Sequence, residues 1–153
     1  MQILLLTVGR PKERCLAQLV EAYLARLGSW KAEWCAVRPS HREPVDARLR
    51  EEATRLRRHI LPDDYVVVLD ERGEEFDSVR FARWLGQRIE DARRLVFVVG
   101  GAEGLSPELR SGASLQLRLS ALTLQHDLAL LLLSEQIYRA YTILAGRPYH
   151  RGA

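Results

Sequence analysis

Three short stretches of this 153-residue chain hold residues suited to chemistry as well as to packing. The first is GGAEG, in which Gly100, Gly101 and Gly104 follow the apolar run LVFVV at 95–99. Lacking side chains, these positions let the backbone bend sharply or lie directly against a ligand. The carboxyl end of a buried strand is where open α/β sheets place ligands. The second is the uncharged loop Ser120, Ala121, Leu122, Thr123 and Leu124, which follows a short apolar strand at 115–119 ending in Leu119. Two loops of this kind can face one ligand. The third is the tail Arg147-Pro148-Tyr149-His150-Arg151, richer in proton-handling and cationic groups than a frayed terminus usually is.

The glycine pattern is GGxxG. It matches neither the dinucleotide GxGxxG nor the phosphate loop GxxxxGK[ST], and no lysine follows where one would reach a phosphate. Glu103 inside the loop would repel a bound polyphosphate but tolerates a cationic or neutral ligand; its other reading is a solvent-facing turn residue. No metal-ligand cluster, paired carboxylates or Ser-His-Asp arrangement stands out, which disfavours metal sites and hydrolysis. Cys15 and Cys35 are isolated, without a CxxC pair or a neighbouring histidine, and read as buried reduced thiols.

The elements that must position these loops follow from periodicity. Apolar runs at 2–8, 65–69 and 95–99 read as strands buried on both faces, with an imperfectly alternating strand at 31–37 and a short one at 115–119. The 65–69 strand runs into another loop at a carboxyl end, Asp70-Glu71-Arg72-Gly73. Between them, Leu16, Leu19, Val20, Tyr23, Leu24 and Leu27 keep helical spacing, with Gly28 just past the helix end. Leu49, Ala53, Leu56 and Ile60 form the inner stripe of a helix capped by Asp46, while Arg48, Arg50, Arg55, Arg57 and Arg58 lie outside it. Those arginines read either as a solvated face balanced by Glu51 and Glu52 or as a phosphate-binding face. Ser78 or Asp77 caps the next helix, Ser106 with Pro107 opens a short one, and Asp127 caps a long one reaching about Leu144. The polar loop at 38–44 reads as mobile.

This alternation is an α/β fold with a mainly parallel sheet of about five strands flanked by helices, in a single domain spanning 1–153. A composition of 47% hydrophobic and 28% charged residues fits a folded globular chain, and no apolar run is long enough to span a membrane. With no signal-like segment, the reading is cytoplasmic. Net charge is +3, which permits a polyanionic partner without requiring one. The long helix carries Leu128, Leu131, Leu132, Ile137, Tyr138 and Tyr141, too wide an apolar surface for one side, so a homodimer with this helix in its interface is expected.

GGAEGLSPELR, LSALTLQHDLALLLLSEQIYRAY and the terminal PYHRG resemble the RlmH family of the SPOUT superfamily, along the whole chain from VGRPK at 8–12. The resemblance implies an S-adenosyl-L-methionine-dependent methyltransferase that modifies N3 of a pseudouridine in the helix 69 loop of 23S rRNA. It also implies a deep trefoil knot in the C-terminal half and a dimer with active sites at the interface, where the tail serves the partner's site. Carried over residue by residue, it places the cofactor against Leu69, Gly100, Gly101, Gly104, Leu119, Ser120, Ala121, Leu122, Thr123 and Leu124. Where many relatives have proline before the histidine of the LSALTL segment, this chain has Gln125, so its loop is less rigid by sequence.

Methyl transfer from a sulfonium to N3 needs alignment, exclusion of water and removal of one proton. His126, Glu135, Arg139, Tyr149, His150 and Arg151 are the candidates for that catalytic work. Glu135 and Arg139, four apart on one helix, equally suit an ordinary surface pair. Without a separate RNA-binding domain, such an enzyme is expected to depend on the surface of the assembled ribosome for specificity. Two other readings remain: a non-catalytic module that binds a nucleoside or assists ribosome assembly, and a methyltransferase acting on another RNA site.

Overall fold

In the computed structural model, which describes residues 2–91 and 94–151, the apolar runs become strands covered on both faces. The chain order is β1 (Gln2–Val8), α1 (Arg14–Ala25), β2 (Lys31–Val37), α2 (Val45–Arg57), β3 (Tyr65–Glu75), α3 (Ser78–Asp91), β4 (Arg94–Val99), α4 (Pro107–Ser111), β5 (Leu115–Arg118) and α5 (His126–Leu144). The five strands form one parallel sheet in the order β2-β1-β4-β3-β5. Side chains alternate across it with the strand period of two. Ile3, Leu5, Leu95 and Phe97 join Val20, Leu85, Leu133 and Ile137 in a core under α1, α3 and α5. Leu4, Leu6, Val96 and Val98 join Leu56, Leu105 and Leu109 in a second core under α2 and α4. Apolar residues at all but Gln2 and Thr7 of β1 and all but Arg94 of β4 are what a strand between two helix layers requires.

The helix starts differ from the expected caps in two places. α2 begins after Pro44 with no side-chain cap, and Asp46 sits inside its first turn. α5 begins two residues earlier than expected: the Gln125 side-chain oxygen accepts from the N–H groups of Asp127 (2.9 Å) and Leu128 (3.2 Å), so Gln125, not Asp127, is the cap. The residue that departs from proline thus replaces ring rigidity with two hydrogen bonds. Asp77 caps α3 through the Arg80 N–H (2.7 Å), and Ser106 caps α4 as expected. The loop at 38–44 is anchored where mobility was expected, because the buried Ser40 N–H donates to Glu52 (3.0 Å) and its hydroxyl to Glu51.

Other inner positions shift too. Leu19 is exposed on α1, leaving Val20 as that helix's one buried residue, with Leu27 buried just beyond its end. The thiols are not buried: Cys15 is exposed, and Cys35 is half-buried with Sγ 3.6 Å from His59 Nδ1, a partner 24 residues away that local sequence could not reveal. On α5, Leu130, Leu133, Ile137, Ala140 and Tyr141 form the buried stripe, while Leu128 (49%) and Leu132 (38%) are exposed.

The largest departure lies in β3, which continues past Leu69 to Glu75 instead of ending in a loop. Leu117 of β5 is the register partner of both Leu69 and Glu74, so β3 meets β5 twice, with residues 70–73 passing between the two meetings. Backbone lies on backbone there: a Cβ on Gly73 would stand 2.5 Å from the Gln116 carbonyl oxygen. No side chain fits that contact without moving a strand. Gly73→Ala is therefore expected to cost about 1–3 kcal/mol in urea denaturation, the range for overpacking a tight contact. Wild-type stability in this variant would contradict the close approach.

Candidate active site

The irregular stretch of β3 at 69–72 and the carboxyl ends of β4 and β5 open onto one cleft of about 650 Å³, the size expected for a small-molecule site. Leu69, Gly100, Gly101, Gly104, Leu119, Ser120, Leu122, Thr123 and Leu124 all line it, and His126 stands at its edge. Of the residues carried over as cofactor contacts, Ala121 alone is absent from the lining. Three loops from separate strand ends thus meet where the parallel topology puts them.

The glycine loop is held by its own backbone. Gly104 N–H donates to the Gly101 carbonyl at 3.0 Å, and a Cβ on Gly100 would lie 2.5 Å from the Gly104 carbonyl oxygen. Gly100 is therefore required by the loop itself. Gly101 is different: it lines the cleft, and a Cβ there would meet Val8 at an ordinary 3.7 Å, so the fold itself does not require glycine at this position. The facing loop is pinned by Arg118, whose Nε donates to the Ser120 carbonyl (3.0 Å) and Nη2 to that of Ala121 (3.2 Å).

Of the four carboxylates that line the cleft, Asp46, Asp70, Glu71 and Glu103, two lie against arginines. Glu103 accepts from Arg48 Nη1 at 3.1 Å, tying the glycine loop to α2, so it is neither a bare turn residue nor a free negative charge. Asp70, which reasoning from spacing placed only in a loop, accepts from Arg110 Nη1 at 3.0 Å. Burial alone would raise the Asp70 carboxyl, but the Arg72 N–H and the Arg110 guanidinium outweigh it and hold the group below its ordinary value. Arg110 Nε is left buried without a partner in the cleft wall. Asp70, Arg110 and Arg118 escaped selection as site residues because their roles depend on pairings across the sheet.

The remaining candidates gather elsewhere. Glu135 Oε1 accepts from Arg139 Nη2 (2.6 Å), Arg139 Nε (3.1 Å) and the Tyr149 hydroxyl (3.1 Å), while its Oε2 accepts from Gln136 (2.7 Å). Arg139 also lies over the Tyr149 ring, and its Nη1 stands 3.3 Å from His150 Nδ1. A guanidinium only donates, so Nδ1 accepts and a neutral His150 carries its proton on Nε2, a buried atom with no partner. Burial, the Tyr23 hydroxyl and the Glu135 charge all raise the Tyr149 phenol, which stays protonated as a donor. Hydrogen bonding to Glu135 raises Arg139 above its ordinary value, against the smaller opposing effect of burial. Arg151 is exposed at the end of the described chain.

The two groups are apart within one chain. Glu135 is nine residues along α5 from His126 at the cleft edge, about 14 Å at 1.5 Å per residue. Glu135 and Arg139, both half-buried, continue the helix face begun by the exposed Leu128 and Leu132, on the side of α5 opposite its buried residues. The structure therefore unites the cofactor candidates with His126, and Glu135, Arg139, Tyr149 and His150 with one another, without joining the two sets. Among the described residues no group of acidic, histidine or cysteine side chains is arranged to hold a metal, and no helix is long and apolar enough to cross a membrane.

Comparison with known proteins agrees with this architecture. The family model described as "Predicted SPOUT methyltransferase" matches residues 1–150. The ribosomal RNA large subunit methyltransferase H of Gemmatimonas aurantiaca is 39% identical, covering 99% of this chain and 100% of that protein. Its counterpart of the same name from Bradyrhizobium diazoefficiens is 40% identical over 99% of both. Among solved structures, a probable methyltransferase from Bordetella pertussis superposes with a TM-score of 0.58 at 14% identity, covering 92% of this chain and 95% of that one, a likeness of fold.

Since the fold leaves room at residue 101, Gly101→Val is expected to keep stability within about 1 kcal/mol of wild type while weakening cofactor binding at least about tenfold. Calorimetric titration alongside thermal melting checks both. Undiminished binding would remove Gly101 from the site.

Proposed function

The chain belongs to the SPOUT methyltransferase family, and from that premise we propose that it transfers a methyl group from S-adenosyl-L-methionine to N3 of a pseudouridine in the helix 69 loop of 23S rRNA, acting on the assembled ribosome. The observation that carries the reading is the convergence of the three strand-end loops on one cleft, in a chain 39% identical end to end to a ribosomal RNA large subunit methyltransferase.

The cleft suits that cofactor. Leu69, Leu119 and Leu124 supply apolar cover for an adenine face, and the glycine backbone offers N–H and C=O groups to its edge. With Glu103 and Asp70 each paired to an arginine, the walls accept a ligand carrying both a sulfonium and a carboxylate. The unpartnered Arg110 Nε is a donor suited to an anionic ligand group. When bound, S-adenosylmethionine supplies an electrophilic methyl group. In the displacement the N3–methyl bond forms as the methyl–sulfur bond breaks, and the N3 proton must leave to a base.

Roles for the chain's own residues follow from their partners. Glu135 has its lone pairs occupied by Arg139, Tyr149 and Gln136, so its part is to hold the tail, not to take the proton. Tyr149 is a protonated donor. His150 has its Nδ1 lone pair turned to Arg139, which leaves His126 at the cleft edge as the imidazole candidate for taking the proton. We place the tail in the cleft of a second subunit: it lies on the same face of α5 as the exposed Leu128 and Leu132, and Leu122 in the cleft wall is itself 77% exposed. The double meeting of β3 with β5 and the close approach at Gly73 support the trefoil knot in this C-terminal half.

Transfer of labelled methyl to ribosomes lacking the modification, compared with naked rRNA, tests the substrate; mass spectrometry identifies the nucleoside. Label on a helix 69 pseudouridine at N3, and much faster on ribosomes, is the expected result. Equal rates on both substrates would overturn the dependence on the ribosome, and cofactor binding without transfer would overturn the enzyme reading. Glu135→Gln, which removes the charge holding Arg139 and Tyr149, is expected to lower kcat at least about tenfold with cofactor affinity within about twofold. Unchanged kcat would contradict the tail-holding role.

A further inference from the structure

α2 divides its arginines between two flanks. On one flank, Arg48 and Arg55 are seven residues apart and both are tied inward. Arg48 bonds Glu103, Glu43 and the Arg42 carbonyl; Arg55 bonds Glu51 and the Arg38 carbonyl. On the other, Arg50, Thr54 and Arg57 recur at spacings of four and three with Arg58 beside them, and all four are exposed. Among the described residues, Arg50, Arg57 and Arg58 pair with no carboxylate. Three of the four carboxylates of the segment are engaged elsewhere: Glu51 by the Ser40 hydroxyl, Arg42 and Arg55, Glu52 by the Ser40 N–H, and Glu43 by Arg48, while Asp46 lies at the cleft end of the helix.

The segment 38–59 holds seven arginines against four carboxylates, so it alone matches the chain's formal net charge of +3. The basic character of the protein is therefore local. The helix also starts at the cleft, since Asp46 and Leu49 line it, and from Asp46 to Arg58 it extends about 18 Å at 1.5 Å per residue. That is long enough to lie along several phosphates of a nucleic-acid backbone.

Resting on the reading of the chain as an RNA methyltransferase, we infer that the outer flank of α2, with Arg50, Arg57 and Arg58, docks the phosphate backbone of the substrate RNA beside the target nucleotide. The paired flank fixes the helix to the glycine loop through Arg48 and Glu103, so a backbone held on α2 is held at a set distance from the cofactor. Guanidinium groups suit this task because they donate bidentately to phosphate and remain charged.

The test measures binding of the full-length protein to ribosomes lacking the modification, between roughly 50 and 300 mM salt, where loss of phosphate contacts shows in the slope. The combined Arg50→Glu, Arg57→Glu and Arg58→Glu variant is expected to bind at least about tenfold more weakly, with a log affinity against log salt slope shallower by about 2. Its S-adenosylmethionine affinity should stay within about twofold, and the triple lysine variant should keep most of the ribosome binding. Arg14→Glu with Arg83→Glu, on the opposite helix layer, should leave binding nearly unchanged. If the glutamate variant binds and responds to salt like wild type, or if the opposite-layer pair weakens binding equally, the docking surface is overturned while the enzyme reading stands. A wild-type protein that neither binds nor methylates ribosomes would overturn both.

Discussion

Contact of backbone on backbone is the constraint on which the rest of the structure depends. At Gly73 the returning segment of β3 lies against Gln116 and Leu117, and at Gly100 the glycine loop closes onto Gly104. Both contacts are closer than any side chain permits; Gly100 lines the cleft, and Gly73 follows directly on Arg72, which also lines it. Together they bring β3, β4 and β5 near enough for three separate loops to share one ligand. The two-sided core beneath, with β1 and β4 buried along nearly their whole length, keeps those strand ends from shifting.

Electrostatics complete the site by pairing rather than by exposure. Glu103, Asp70 and Glu135 each lie against an arginine from another turn or another element, so none acts as a free acid. Two of the pairs also join parts of the structure, the glycine loop to α2 and β3 to α4, while the third, within α5, holds the tail through the Tyr149 hydroxyl on Glu135. Besides the Nε of Arg88 in α3, the groups left over among the described residues are the buried Nε of Arg110, the buried Nε2 of His150 and the outer arginines of α2. In the proposed reading these meet the cofactor, the composite active site and the RNA.

Much of this was legible in the sequence because the signals are local. Uninterrupted apolar runs marked β1 and β4, glycines after a strand marked the cleft, and residues 119–124 marked its facing wall. What escaped depends on distant pairings. That β3 continues to Glu75 follows from its second meeting with Leu117, more than 40 residues away in sequence. Gln125 caps α5 although glutamine is a weak capping type, because the loop holds its carbonyl over two free N–H groups. The Cys35–His59 contact and the Arg48–Glu103 tie have no local trace. Leu128 and Leu132 followed helical spacing faithfully, yet spacing alone could not say which apolar stripe faces the core and which is left exposed.

The central claim is that the cleft of one subunit and the tail of another make a single active site. Co-expressing Gly101→Val subunits with subunits truncated after residue 148, then assaying methyl transfer to ribosomes lacking the modification, tests it most directly. Each parent alone should be inactive, whereas random pairing makes half the dimers mixed, each with one intact composite site, so about a quarter of wild-type activity should return. A mixed preparation as inactive as its parents, with mixed dimers present, would contradict the shared site.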